Sequence, residues 1–257
     1  AQAFTKWGLK PGDRIATFAM NHHRHLAAWY GAIGCGGVIH TVNVRLFDED
    51  LIYIMNHAED RVLMYDAQFQ PIIDRLKPHL KTVEHFIVFD SDDSYGALMR
   101  DMDGAFDWVM GDERDPCMLC YTSGTTGNPK GAMLSNTNLL GLRNAGVAAG
   151  LDWQFYEPGD CMLVAMPCAH IGGTGLVNIA VASGVRSLVQ AEFSPVGVLE
   201  AIEAGATHMF IVPAALQMVV QHPRAATTDF SNLKYLMYGA APMPLELLKE
   251  AVRTMPR

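Results

Sequence analysis

Tyr121-Thr122-Ser123-Gly124-Thr125-Thr126-Gly127-Asn128-Pro129-Lys130-Gly131 is the stretch whose reading decides the fold. It follows directly on the apolar run Cys117-Met118-Leu119-Cys120. Glycines lacking Cβ let backbone N–H groups turn inward and approach a ligand closely. The hydroxyls add donors and the lysine adds a mobile positive charge, so the string has the parts of a polyphosphate cradle. Spacing excludes one familiar cradle. A Walker A loop needs glycine before the lysine and a hydroxyl after it, and Pro129 and Gly131 occupy those places.

Outward from this loop, short apolar runs alternate with helical stretches. Strands are expected at Arg14–Ala19, Val38–Val42, Arg61–Tyr65, His85–Phe89, Pro116–Tyr121, Gly131–Leu134, Met162–Ala165, Ser187–Val189, His208–Val212 and Tyr235–Tyr238. Helices are expected at His25–Gly34, Asp48–His57, Phe69–Leu76, Asn136–Ala149, Gly173–Ser183, Val196–Ala204, Pro213–Gln221 and Pro244–Arg253. Asp48, Asn136 and Ser194 are placed to cap helices. The repetition of strand then helix predicts an α/β fold, layered into subdomains with mixed or parallel sheets flanked by helices. The polar connector Gly111-Asp112-Glu113-Arg114-Asp115 suggests a boundary, with a first subdomain over 1–111 and a second over 112–257.

Composition narrows the classes. The 257 residues are half apolar and carry a net charge of −8. No chain-wide basic field exists for nucleic acid or an anionic membrane, so a binder of anions must concentrate positive potential locally, at Lys130 and backbone amides. Five cysteines, without disulfide-framework spacing, suit a reduced, cytoplasmic setting. Residues Cys161 to Val185 contain no charged side chain, a length that would span a bilayer. Pro167, His170, Gly172, Gly173, Gly175, Asn178 and Ser183 interrupt it, so a buried strand, a turn and a buried helix are expected instead. Cys117 and Cys120 have metal-like spacing, but residues i and i+3 of a strand face opposite sides. The Asn21-His22-His23-Arg24-His25 run reads as a capped helix start rather than a metal site.

The eleven-residue string resembles the phosphate-loop signature of the adenylate-forming superfamily, which includes acyl-CoA synthetases, peptide-synthetase adenylation domains and firefly luciferase. Other segments carry the same resemblance: Gly31 to Tyr65; Met166-Pro167-Cys168-Ala169-His170-Ile171-Gly172-Gly173, similar to a Pro-x-x-His-x-x-Gly segment; and Tyr238-Gly239-Ala240-Ala241-Pro242-Met243, similar to the strand and turn that hold adenine. It runs from about Leu9 to the last residue, and is nearest to bacterial medium- and long-chain fatty acid–CoA ligases, including those for methylthio-substituted short acids. One departure is Ser135-Asn136-Thr137-Asn138, where a Ser-His-x-Asn sequence is common.

The resemblance implies a reaction. A carboxylate attacks the α-phosphorus of ATP, with Mg2+, giving acyl-adenylate and pyrophosphate; CoA then displaces AMP. It assigns Thr122, Ser123, Gly124, Thr125, Thr126, Gly127 and Lys130 to the ATP phosphates, with Lys130 and Thr126 acting in catalysis. Gly239, Ala240, Ala241 and Pro242 would border adenine; His170, Gly172, Gly173, Val212, Pro213 and Tyr238 would line the acyl pocket. Because Ala165–Gly173 holds no aspartate for an amino group, a simple carboxylic acid is favoured over an amino acid. The partners expected are ATP, a fatty acid and CoA, and a homodimer is compatible with the pattern. The resemblance also places an aromatic-Gly-x-Thr-Glu motif, a ribose-binding aspartate and a lid domain with a catalytic lysine downstream of residue 257. The chain is therefore expected to be a core fragment, inactive alone. The alternatives are a non-catalytic ATP- or acyl-binding module, or a ligase for a short acid.

Overall fold

The computed structural model describes residues 1–122 and 127–255. Among them, strands and helices follow in the order α1 (Gln2–Lys6), β1 (Arg14–Phe18), α2 (His23–Gly34), β2 (Val38–Thr41), α3 (Asp48–His57), β3 (Asp60–Tyr65), α4 (Gln70–Leu76), β4 (His85–Val88), α5 (Ala97–Arg100), β5 (Pro116–Thr122), β6 (Lys130–Ser135), α6 (Asn136–Ala148), β7 (Cys161–Val164), α7 (Ile171–Ala182), β8 (Arg186–Val189), α8 (Pro195–Glu203), β9 (His208–Ile211), α9 (Pro213–Val220), β10 (Tyr235–Tyr238) and α10 (Leu245–Thr254). Every strand expected from sequence is present, within a residue or so at each end.

The chain forms two compact units, 1–139 and 140–257. In the first, six strands lie in the order β4-β3-β1-β2-β5-β6. All neighbours are parallel except β5 and β6, which make an antiparallel hairpin. In the second, β10-β9-β7-β8 is wholly parallel.

This division corrects the boundary expected at 111/112. The connector there is polar, but β5 resumes the first sheet beside β2, pairing Ile39 with Met118 and His40 with Leu119. A long-range ladder outweighs the local composition shift, and the β5–β6 hairpin belongs to the first unit.

In the first unit, α3 shows how sequence becomes packing. Asp48, Glu49 and Asp50 place negative charge in its first turn and His57 lies in its last, both suited to the helix dipole. Leu51, Ile54 and Met55, at helical spacing, are buried in a cluster with Phe18, Leu63, Ile73 and Leu76. Asp48 itself is not the cap; Phe47 precedes the helix without a side-chain bond. In the second unit, Cys161, Met162, Leu163 and Val164 of β7 are completely buried. Full burial of such a side chain is worth about 1.5–3 kcal/mol. The uncharged stretch 161–185 is thus strand, turn and helix as expected, and among the described residues no helix is long and apolar enough to cross a membrane.

The histidine run starts α2 as expected. His22 Nδ1 accepts from the His25 amide at 3.1 Å and its Nε2 faces Asp66 at 2.7 Å. His25, fully buried and pushed down to about 4 by burial, bonds Met20 O and Thr17 Oγ1 through its two nitrogens. Both rings are thereby committed to structure.

Candidate nucleotide and acyl sites

The first candidate site is the tip of the β5–β6 hairpin. The register sets Tyr121 opposite Gly131 and Thr122 opposite Lys130. Thr122 and Lys130 are exposed at the mouth of the loop, and among the described residues Lys130 makes no ion pair. Gly127 has φ +85° with open space where a Cβ would stand, a conformation that favours glycine. Ser123, Gly124, Thr125 and Thr126 lie outside the described residues. The chain leaving the hairpin is firmly held. Ser135 and Asn138 cap α6 reciprocally, the Asn138 amide donating to Ser135 Oγ at 3.2 Å and the Ser135 amide to Asn138 Oδ1 at 3.0 Å. The cap is therefore Ser135, one residue before the expected Asn136, and the unusual asparagine at 136 leaves it intact.

Beneath the hairpin lies a fully buried pair, His40 Nδ1 to Asp60 Oδ2 at 2.7 Å. Burial raises the Asp60 carboxyl above its ordinary range, with His40 opposing. The Tyr121 ring tilts against His40 at 5.1 Å, and its phenol, pushed up to about 12 by burial and by Asp60, stays protonated at any ordinary pH.

The second candidate site is the carboxyl edge of the second unit's sheet, where ligands of open parallel sheets usually bind. Four chain turns leave it, and three of them carry residues singled out from sequence. After β7, residues 165–170 turn into α7, and His170 stands exposed before the helix in extended conformation. Thr174 Oγ1 donates to Cys168 O at 2.8 Å and fixes that turn. After β9, Val212 caps α9 and Pro213 occupies its first turn, where a missing N–H costs nothing. After β10, Gly239 and Ala240 turn the chain, and Ala240 adopts φ +65°. A non-glycine residue held there is strained, a feature concentrated at ligand-binding turns.

Gly173, Pro213 and Tyr238, all assigned to the acyl pocket, have different surroundings. A Cβ at Gly173 would stand 2.5 Å from the carbonyl oxygens of Met166 and Pro167, so this glycine lets α7 pack closely on the turn. Pro213 is buried. Tyr238 lines a groove of about 400 Å³ with Leu216, Leu236, Met243 and Val252, and neither His170 nor Gly172 lines it.

The structure adds Phe210, which the sequence alone does not single out. Its half-buried ring lies between two glycines, since a Cβ at Gly172 would come 3.1 Å from one ring edge and a Cβ at Gly239 3.2 Å from the other. One aromatic side chain therefore joins the α7 turn to the β10 turn. The available signal was a large aromatic near the end of a strand leading into Val212-Pro213, with glycines on two neighbouring turns. A larger cavity of about 660 Å³, lined by Tyr156, Asp160, Ser183 and Arg186, contains none of the predicted residues.

Comparison with known proteins decides the family. The family model described as AMP-binding enzyme matches residues 1–257. The chain belongs to the AMP-binding enzyme family. Relatives of this chain include the 3-methylmercaptopropionyl-CoA ligase of Ruegeria pomeroyi, 34% identical over 96% of this chain and 48% of that protein. The long-chain-fatty-acid–CoA ligase of Thermus thermophilus is 31% identical over 94% of this chain and 45% of that protein. Among solved structures, the inhibitor-bound N-terminal domain of FACL13 from Mycobacterium tuberculosis aligns with TM-score 0.87 and 27% identity, covering 97% of this chain and 62% of that one. ATP-bound MatB from Rhodopseudomonas palustris aligns with TM-score 0.85 and 25% identity, over 100% of this chain and 50% of that one. The chain spans about half the length of these curated relatives.

Proposed function

We propose that this chain carries the phosphate-, adenine- and acid-binding parts of an AMP-forming acid–CoA ligase. A carboxylate oxygen attacks the α-phosphorus of ATP, the bond to the β-phosphate oxygen breaks, and pyrophosphate leaves. The CoA thiol then attacks the acyl carbon of the adenylate, AMP departs, and the thiol proton passes to solvent. The observation carrying this reading is the family match over the whole chain, together with relatives named as CoA ligases.

The chemistry asks for orientation and for neutralisation of charge on the leaving group. Lys130, exposed and without an ionic partner among the described residues, is suited to the second task. Thr122, Gly127 and the rest of the loop would supply hydroxyl and amide donors. The Gly239–Ala240 turn, with small side chains and strained backbone, suits one face of a flat base. His170 and Gly172, with Phe210 as wall, would receive the acid. Mg2+ is expected with ATP, yet among the described residues no group of three or more His, Cys, Asp or Glu forms a metal cage. An ion that arrives with the nucleotide takes most of its ligands from phosphates and water, so no such cage is required of the protein.

The test is pyrophosphate–ATP exchange by the intact protein. Exchange should depend on a monocarboxylic acid with an apolar tail. Exchange driven by amino acids instead, or by no acid at all, would sink the proposal.

A further inference from the structure

The hairpin that carries the phosphate loop is anchored to its sheet only part of the way along. β2 pairs with β5 at Met118 and Leu119, whereas Cys120, Tyr121 and Thr122 pair only with Ala132, Gly131 and Lys130 of the outer strand. The end of the hairpin from which the loop departs thus projects beyond its neighbouring strand. From Tyr121 on, the register pairs its two strands with one another and with no third strand.

Side chains tie this end to the body of the unit. The Tyr121 hydroxyl bonds His57 Nδ1 at 2.6 Å. The His57 ring is itself stacked on Tyr53, 5.3 Å away at 21°, on the last turns of α3. On its other side Tyr121 rests against His40, which the buried bond to Asp60 holds in place. Across the hairpin the ring lies over Gly131, where a Cβ would come 3.2 Å from it. A residue adjoining the loop is so fixed to a helix, to the sheet centre and to the returning strand at once.

We propose that Tyr121 is a positioning residue for the phosphate loop, its bond to His57 fixing the strand ends at Thr122 and Lys130 before the nucleotide arrives. Pre-ordering a binding segment lowers the cost of ordering it on binding, so the benefit falls on ATP affinity. The inference rests on the reading of the loop as the ATP phosphate site.

Steady-state kinetics of the intact enzyme test it. Tyr121→Phe keeps the ring and removes the hydroxyl, and should raise KM for ATP about fivefold to tenfold, the size of one neutral hydrogen bond. KM for the acid should stay unchanged. His57→Ala, at an exposed position, should do the same, with His57→Gln recovering part of the loss. The double variant should be no worse than either single one, because both remove one interaction. An unchanged KM for ATP in Tyr121→Phe, an equal rise for the acid, or additive losses would overturn the latch. Lys130→Ala, run in parallel, separates the two levels. If it alone impairs adenylation, the latch is wrong and the loop assignment stands; if it impairs nothing, both fall.

Discussion

The two units present their candidate binding segments on opposite kinds of support. In the first, the loop hangs from an antiparallel edge hairpin whose outer strand is exposed from Lys130 to Met133. In the second, the turns leave a parallel sheet whose central strand β7 is fully buried, and even a glycine such as Gly173 is wedged against backbone. The difference teaches where substitutions will register. Loop residues should be free to change chemistry with little effect on folding, whereas a wedged residue such as Gly173 should change folding before chemistry.

The strongest challenge to that contrast is Lys130→Ala. Loss of one charge-stabilising contact in such a site typically costs about 2–4 kcal/mol of barrier. Adenylation should therefore slow by two to three orders of magnitude, on the order implied by that barrier, while the thermal midpoint stays put. A falling midpoint with intact chemistry would reverse the assignment. Next comes Gly173→Ala in the second unit, where overpacking against two carbonyls should cost about 1–3 kcal/mol of stability. Gly175→Ala, with nothing within 4 Å of its Cβ, is the control and should be neutral or stabilising. Equal denaturation curves for the two would dissolve the claim that Gly173 is a packing residue.

A smaller effect separates size from charge in acid selection. Each added methylene that is buried should contribute about 0.8 kcal/mol to kcat/KM until the pocket ends. Phe210→Ala should move that end toward longer acids, and an unmoved end would remove Phe210 from the pocket wall. The smallest effect is shared by both units. Burial would raise Asp66 and Asp160, but bonds from His22 and the Met20 amide to the first, and from the Glu157 amide and Lys234 to the second, hold both below the ordinary range. Their contribution is complete above the unfolded value of about 3.9 and is lost as pH falls through the lower folded values. Denaturant melts should accordingly weaken below about pH 4 in both units; a gain in stability on acidification would contradict these pairings.

The sequence carried much of this and missed particular things for physical reasons. Strands were legible because β-rich apolar runs such as Cys161–Val164 are continuous where both faces are covered. Ser194 was legible as a cap, and its side chain accepts from the Gly197 amide. Asp48 and Asn136 were misplaced as caps because a polar residue at a helix start can serve the dipole or sit one place beyond the capping pair. The domain boundary failed because β2–β5 pairing joins residues far apart, which no local window registers. Within the acyl segments, glycine looks the same in sequence whether it clears space for a ligand or for a carbonyl. Gly173 and Gly175, two residues apart, differ in this way: a Cβ at the first would strike two carbonyls, and one at the second would meet open space.

The insertion of β5 beside β2 also has a kinetic consequence. The β5–β6 hairpin closes locally and quickly, but its parallel pairing with β2 must bring Leu119 to His40 across the whole intervening chain. Distant pairings form late because chain closure is unfavourable until many contacts reward it. The hairpin should therefore acquire its own cross-strand bonds early and dock onto the β1–β3 core last. In pulse-labelled hydrogen exchange, amides of β1 and β3 should gain protection before the amide linking β5 to β2. The element expected to hold the nucleotide would then be the final piece set in place as the first unit folds.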